Sequence, residues 1–190
     1  MNIKSFLSRF INLNKNKMKK VFAIGFLLLG AFTCFAQSVP TTKSILSAAY
    51  KQAAKENKNV FVIFHASWCG WCKKMDASMD DATTKKYFND NYVTVHLTVL
   101  ETPQNKLLET PGADEYLKKI KKEIKSLPFF VILNNDGSLL GDSFIDGSNI
   151  GCPASESEVV AFIQLLKNTS TINKEGLENI AARFKQNKPQ

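Results

Sequence analysis

The chain has 190 residues, 44% of them hydrophobic and 22% charged, and a formal net charge of +8. That length suits one domain with its own core. The charge is no nucleic-acid footprint: six of the 25 basic residues and none of the 17 acidic ones fall in residues 1–36, so the other 154 residues carry only +2.

In chain order, residues 1–36 come first: Lys4, Arg9, Lys15, Lys17, Lys19 and Lys20, then the apolar run Val21 to Phe35. That run is shorter than the ~20 apolar residues a membrane span needs. Basic stretch, apolar core and the exit Cys34-Phe35-Ala36 predict a secretory signal cleaved before Gln37. Met18-Lys19-Lys20 would open a compact signal by itself, which makes Met18 an alternative start. Two alternatives leave the product tethered: an uncleaved anchor, and a lipid on Cys34. The short run argues against the first. Thr33 and Ala31 argue against the second, standing where bacterial lipoprotein signals favour a small residue and a leucine. The expected organisation is a signal over 1–36 and one domain over 37–190, with a helical extension from about residue 171.

Within the domain, Thr41 to Glu56 carries Ile45, Ala49 and Ala53 on one stripe and predicts a helix ending at Asn57-Lys58-Asn59. Val60 to Phe64 is a continuous apolar run, the pattern of a strand covered on both faces. Cys72 to Met79 with Ala82 to Asn91 reads as helix broken near Asp80-Asp81. Val93, Val95, Leu97 and Val99 alternate as a second strand. Glu101 to Gly112, with Pro103, Pro111 and Gly112, is a loop. Ala113 to Lys125 returns to helix on Leu117, Ile120 and Ile124. Phe129 to Leu133 is a third strand, turned back through Asn135-Asp136-Gly137 onto Ser138 to Leu140. Ser155 and Glu158 form a capping box before a helix carrying Val159, Phe162, Ile163 and Leu166. A last amphipathic stretch runs from about Lys174 to Lys185 on Leu177, Ile180 and Phe184. Alternating helices and strands predict an α/β fold, a mixed sheet with helices on both faces.

Trp68-Cys69-Gly70-Trp71-Cys72 lies where the first strand turns into a helix. The first sulfur then sits beside unpaired backbone N–H groups, which stabilise an anion. A thiol so placed has a lowered pKa, and its thiolate is what attacks disulfides. The second sulfur lies one turn further in and can close a ring with the first. Cys69 is therefore the expected nucleophile and Cys72 the resolving thiol. After removal of the signal three cysteines remain, so Cys152 is left over in an oxidising compartment.

The stretch Phe61-Val62-Ile63-Phe64-His65-Ala66-Ser67-Trp68-Cys69-Gly70-Trp71-Cys72-Lys73-Lys74 resembles the active-site segment of the thioredoxin superfamily, close to exported branches with Trp-Cys-x-x-Cys-Lys. Leu127-Pro128-Phe129 resembles the family's loop proline, which implies a cis bond at Pro128 facing the cysteine pair. The resemblance covers roughly Thr41 to Lys167. It implies a thioredoxin-like fold and thiol–disulfide oxidoreductase activity. Two departures stand out. Ile63 occupies the place where thioredoxins commonly bury an acid that accepts the resolving thiol's proton. Trp71 replaces the usual proline, which leaves the redox potential open and with it the choice among reductase, isomerase and oxidase, since ~30 mV is tenfold in equilibrium.

Other readings of the same residues stand beside these. Cys69 and Cys72 could be half of a zinc site, completed from Cys152, His65 or His96, or a static disulfide. His65 could tune the thiolate as a nearby cation or be a packed strand-end residue; His96 is expected to face solvent. Trp68, Gly70, Trp71, Leu127 and Pro128 are the expected substrate-facing residues, Trp68 offering an apolar surface beside the nucleophile while Trp71 could simply cover the helix start. Lys73 and Lys74 are expected on a solvated face. Cys152 is either a third redox thiol or a reduced bystander. The functional expectation is a monomeric reductase or isomerase of disulfides in exported proteins, recharged by a membrane-borne electron donor, with no cofactor and no nucleic acid. The competing expectations are an oxidase and a non-catalytic peptide-binding module.

Overall fold

The computed structural model describes residues 39–120, 124 and 126–187. The expected signal, with Met18, Cys34 and the cleavage point before Gln37, lies outside the described residues. Among those described, no helix is long and apolar enough to cross a membrane.

Helix α1 (Thr42–Glu56) begins where Thr41 and Ser44 cap each other's backbone N–H, and stops at Asn57, whose φ of 53° is left-handed. Strand β1 (Asn59–His65) follows, its five interior residues all buried, which is what a continuous apolar run requires. Helix α2 (Gly70–Met79) carries the cysteine motif. The break expected near Asp80-Asp81 is present: α3 (Lys85–Asn91) starts afresh after Asp81 accepts hydrogen bonds from the Thr83 amide and hydroxyl.

Strand β2 (Tyr92–Thr98) runs parallel to β1, and β3 (Phe129–Leu133) runs antiparallel to β1 on its other side. Strand β4 (Leu139–Asp142) closes the order β2-β1-β3-β4. The return strand is thus shifted from the expected 138–140, and a register irregularity at Ile132/Leu133 accompanies it. Gly137 takes φ of 87° in the turn, a conformation that favours glycine.

The expected loop over 101–112 contains a 3₁₀ helix, Pro103–Leu108, started by Pro103 with its preset φ. Helix α4 is described as Ala113–Ile120; the rest of the expected span, except Ile124, lies outside the described residues. A short ribbon of β5 (Phe144–Ile145) and β6 (Ser148–Asn149) was not expected, because two-residue strands leave no periodicity to read. The Ser155 capping box opens α5 (Glu156–Thr169). Helix α6 (Lys174–Phe184), capped by Asn173, runs into a final 3₁₀ turn, Lys185–Asn187.

Two apolar layers sandwich the sheet. On one face Val60, Val62 and Phe64 pack with Leu46, Ala49 and Ala53 of α1 and Leu117 of α4. On the other, Phe61 and Ile63 pack with Met75 of α2, Phe88 of α3, Phe162 of α5 and Phe184 of α6. The period of two along β1 divides its side chains between the layers. Helix α6 seals the second: a Cβ on Gly176 would lie 2.7 Å from the Tyr87 ring, so only glycine admits this approach.

Candidate active site

The motif lies at the C-terminal end of β1. Cys69 takes the N-cap of α2 with φ of −79° and ψ of 99°, and its sulfur accepts the Cys72 backbone N–H at 3.0 Å. The two sulfurs are bonded to each other at 2.03 Å. The first turn of α2 holds no acidic side chain, so nothing there opposes the positive end of the helix dipole. When the pair is reduced, the same N–H is in place to receive the thiolate.

Cys69 and Cys72 are 3% and 2% exposed, whereas Trp68 and Trp71 beside them are 54% and 37% exposed. The cysteines are thus buried beside exposed aromatic surface. Gly70 is exposed, and a Cβ there would meet nothing within 4 Å. Because β3 is antiparallel to β1 and pairs Phe129 with Phe64, the Leu127-Pro128 segment enters at the same end of the sheet as the motif. The Leu127–Pro128 bond is cis, and Leu127 shares an apolar cluster with Cys69 and Cys72. Gly151 packs behind the proline.

Several neighbours have partners that no local sequence pattern marks. Lys74 is exposed as expected, and it also lies over the Trp71 ring at 4.6 Å and donates to the Asn187 carbonyl at 3.5 Å. His96 is exposed as expected, yet its Nε2 is 2.8 Å from the Asp76 carboxylate and its ring meets His65 edge-on at 5.2 Å. Burial, and after it the charge of His96, pushes the pKa of His65 down, against the pull of Asp76 and Glu101. Its Nε2 lies 3.1 Å from the Thr98 hydroxyl. A neutral, packed His65 matches the strand-end reading rather than that of a tuning cation. Ile63 is fully buried in the second apolar layer.

Cys152 lies in that second layer, apart from the cluster holding the disulfide pair. It is buried and free, with the Asn187 amide 3.4 Å from its sulfur. Burial pushes its thiol up to about 12, outweighing Lys74 and Arg183. The zinc alternative finds no support in the geometry: among the described residues no group of three or more His, Cys, Asp or Glu could hold a metal ion.

Sequence reasoning missed Leu100 and Glu101. The parallel register pairs His65 with Thr98, so Ser67 and Leu100, each two residues further on, emerge at the same level. The Leu100 carbonyl accepts the Trp68 indole N–H at 2.9 Å. The Glu101 carboxylate accepts the Ser67 amide at 2.5 Å and the Ser67 hydroxyl at 2.8 Å. No periodic signal marks either residue, because their role exists only once β2 lies beside β1.

Residues 41–135, half of the chain, match the family described as thioredoxin-like. Among solved structures, the chain is similar to a disulphide isomerase from Xylella fastidiosa Temecula1, at 14% identity and a TM-score of 0.46, covering 80% of this chain and 98% of that one. It is also similar to the oxidised C-terminal domain of DsbD from Neisseria meningitidis, at 22% identity and a TM-score of 0.37, covering 54% and 82%. A DsbH oxidoreductase follows at 18% identity and a TM-score of 0.38, covering 68% and 84%. These are likenesses of chain course and carry nothing further. No curated protein matches the sequence. The family match takes in β1, the Cys69–Cys72 disulfide and the cis-proline turn together, and the chain belongs to the thioredoxin-like family.

Proposed function

We propose that this protein is a thiol–disulfide oxidoreductase that acts, as a monomer, on the disulfides of exported proteins in the direction of reduction or isomerisation. One observation carries the reading: the Cys69–Cys72 disulfide closes at the first turn of α2, with a backbone N–H on the Cys69 sulfur. In the reduced protein the Cys69 thiolate attacks one sulfur of a substrate disulfide. A mixed disulfide forms and the other substrate sulfur leaves as a thiolate. In reduction, Cys72 loses its proton and attacks the Cys69 sulfur, which frees the second substrate thiol and restores the Cys69–Cys72 bond. Two electrons have then passed to the substrate. In isomerisation a substrate thiol attacks the mixed disulfide instead, and Cys69 is released reduced.

Trp68, Gly70, Trp71, Leu127 and Pro128 line the approach to the sulfurs in this reading. Ile63 leaves the proton of Cys72 to water or another group. Each reduction spends the dithiol, so electrons must return; for a protein beyond the membrane the proposed donor is membrane-borne. The basic and apolar N-terminus supports export, and sequencing the secreted product should begin at Gln37. Cys152, buried with a raised thiol pKa, is read as a reduced bystander.

Insulin reduction with dithiothreitol as donor tests the function. The wild-type protein should turn over, and Cys69→Ser should fall to background. A peptide-binding module would show no turnover in either. A glutathione titration of the pair gives the direction, because a potential well above that of thioredoxin would make the protein an oxidase.

A further inference from the structure

Glu101 is 7% exposed, and a carboxylate is costly to bury unless its oxygens are bonded. Both of its oxygens are used on one residue: Oε1 accepts the Ser67 amide and Oε2 the Ser67 hydroxyl. Ser67 lies two residues before Cys69, and its other tie comes from the Asn105 side chain at 3.5 Å. The preceding residue, Leu100, holds φ at 54°, a conformation that non-glycine residues adopt at a cost. In that pose its carbonyl accepts the Trp68 indole. Two adjacent residues of one loop thus grip the two residues that precede the nucleophile. The far side of the grip is braced as well, since the Glu101 amide donates to Glu109 Oε1 at 2.9 Å and that oxygen also takes Lys106.

We propose that Glu101 is a positioning residue for disulfide exchange. By holding the Ser67 amide and hydroxyl, it sets the angle at which Trp68 and Cys69 enter α2 and so keeps the Cys69 sulfur on the Cys72 N–H. The inference rests on the exchange function proposed above. It assigns Glu101 no contact with substrate. Charge–dipole bonds of this kind are the strong ones, and small displacements at a reacting centre are costly in rate.

The test compares Glu101→Ala, Glu101→Gln and Ser67→Ala with the full-length mature protein, each also in a Trp71→Phe background where Trp68 is the sole indole. The readouts are the rate of insulin reduction, the equilibrium with glutathione, and the change of Trp68 emission when the disulfide is reduced. An altered global stability alone would move none of these in folded protein. Glu101→Ala is expected to slow exchange at least tenfold and to diminish the emission change. Ser67→Ala, which loses only the hydroxyl tie, should fall between it and wild type. Glu101→Gln, whose amide oxygen still accepts the Ser67 N–H, should stay within about threefold of wild type. Exchange and emission at wild-type level in folded Glu101→Ala would overturn the proposal. If that variant does not fold, wild-type behaviour of Ser67→Ala overturns it. A loss in Glu101→Gln as deep as in Glu101→Ala would also overturn it, since charge rather than position would then be at work. Absence of turnover in the wild-type protein would instead remove the exchange function itself, and the redox-linked emission would still report on the grip.

Discussion

Two regions of this domain bury sulfur, and they bury it to opposite effect. At the end of β1, Cys69 and Cys72 are almost inaccessible, but a backbone N–H points at the first sulfur and the positive end of α2 lies beneath it. On the other face of the sheet, Cys152 is also hidden, among Phe130, Phe162, Ile150 and their neighbours; the Asn187 side-chain amide lies 3.4 Å from its sulfur, and burial outweighs the pull of Lys74 and Arg183. The first surrounding is built to receive an anion; the second expels one. Burial alone therefore says little about a thiol's reactivity, and the orientation of nearby dipoles decides it.

The sharpest way to break this contrast is to remove the sulfurs one at a time. Cys72→Ser should accumulate mixed disulfides on Cys69, visible as reducible adducts on a gel, whereas Cys152→Ser should leave insulin reduction unchanged. A large loss in Cys152→Ser would show that the second sulfur takes part in the chemistry.

Next in size is the packing that protects Cys152. The Phe162 ring is fully buried against Phe88, Phe130 and Phe184. Phe162→Ala should cost about 3–5 kcal/mol in urea unfolding and should speed alkylation of Cys152. The exchange rate of the folded fraction should hardly change, because Cys69 and Cys72 belong to the other layer.

A smaller effect concerns alkali. The folded thiol of Cys152 is held up to about 12 against an ordinary 9.0, so above pH 9 the unfolded chain gives up a proton that the folded one keeps. Stability contributed below pH 9 is lost as pH rises towards 12. Cys152→Ser should remove that part of the alkaline decline. At pH 8 iodoacetamide should label Cys152 far more slowly than a free thiol.

The smallest effect lies on the acid side. His65 has its pKa lowered by burial and by His96, with Asp76 and Glu101 pulling the other way. The unfolded chain then binds a proton near pH 6.5 that the folded one takes up only at lower pH. Stability is thus lost as pH falls below 6.5, and His65→Gln should flatten that limb of a pH–stability curve. The exchange rate should not follow it, since His65 is read as a packed strand-end residue and not as part of the exchange chemistry.

Much of the architecture was legible because it repeats. The period of two in β2, the unbroken apolar run of β1 and the Ser155 capping box each announce an element in a few residues, and the Trp-Cys-Gly-Trp-Cys spacing locates the sulfur pair. The ribbon at 144–149 and the 3₁₀ helix at 103–108 were missed, since so short an element has no period. Lys74 is the surface lysine it was expected to be, but nothing local marks the Trp71 ring or the Asn187 carbonyl as its partners.

Residue order alone determined that a two-residue spacer at a strand-to-helix junction puts one sulfur at the helix start and the other a turn away. That consequence is local, set by backbone geometry within a few residues. Which groups hold the junction was decided only by the tertiary structure. Glu101 meets Ser67 across 34 positions because parallel pairing brings the ends of β1 and β2 to one level. Cys152 keeps its proton because helices distant in sequence close over it. Both depend on contacts between segments far apart in the chain, and no short window of sequence contains them.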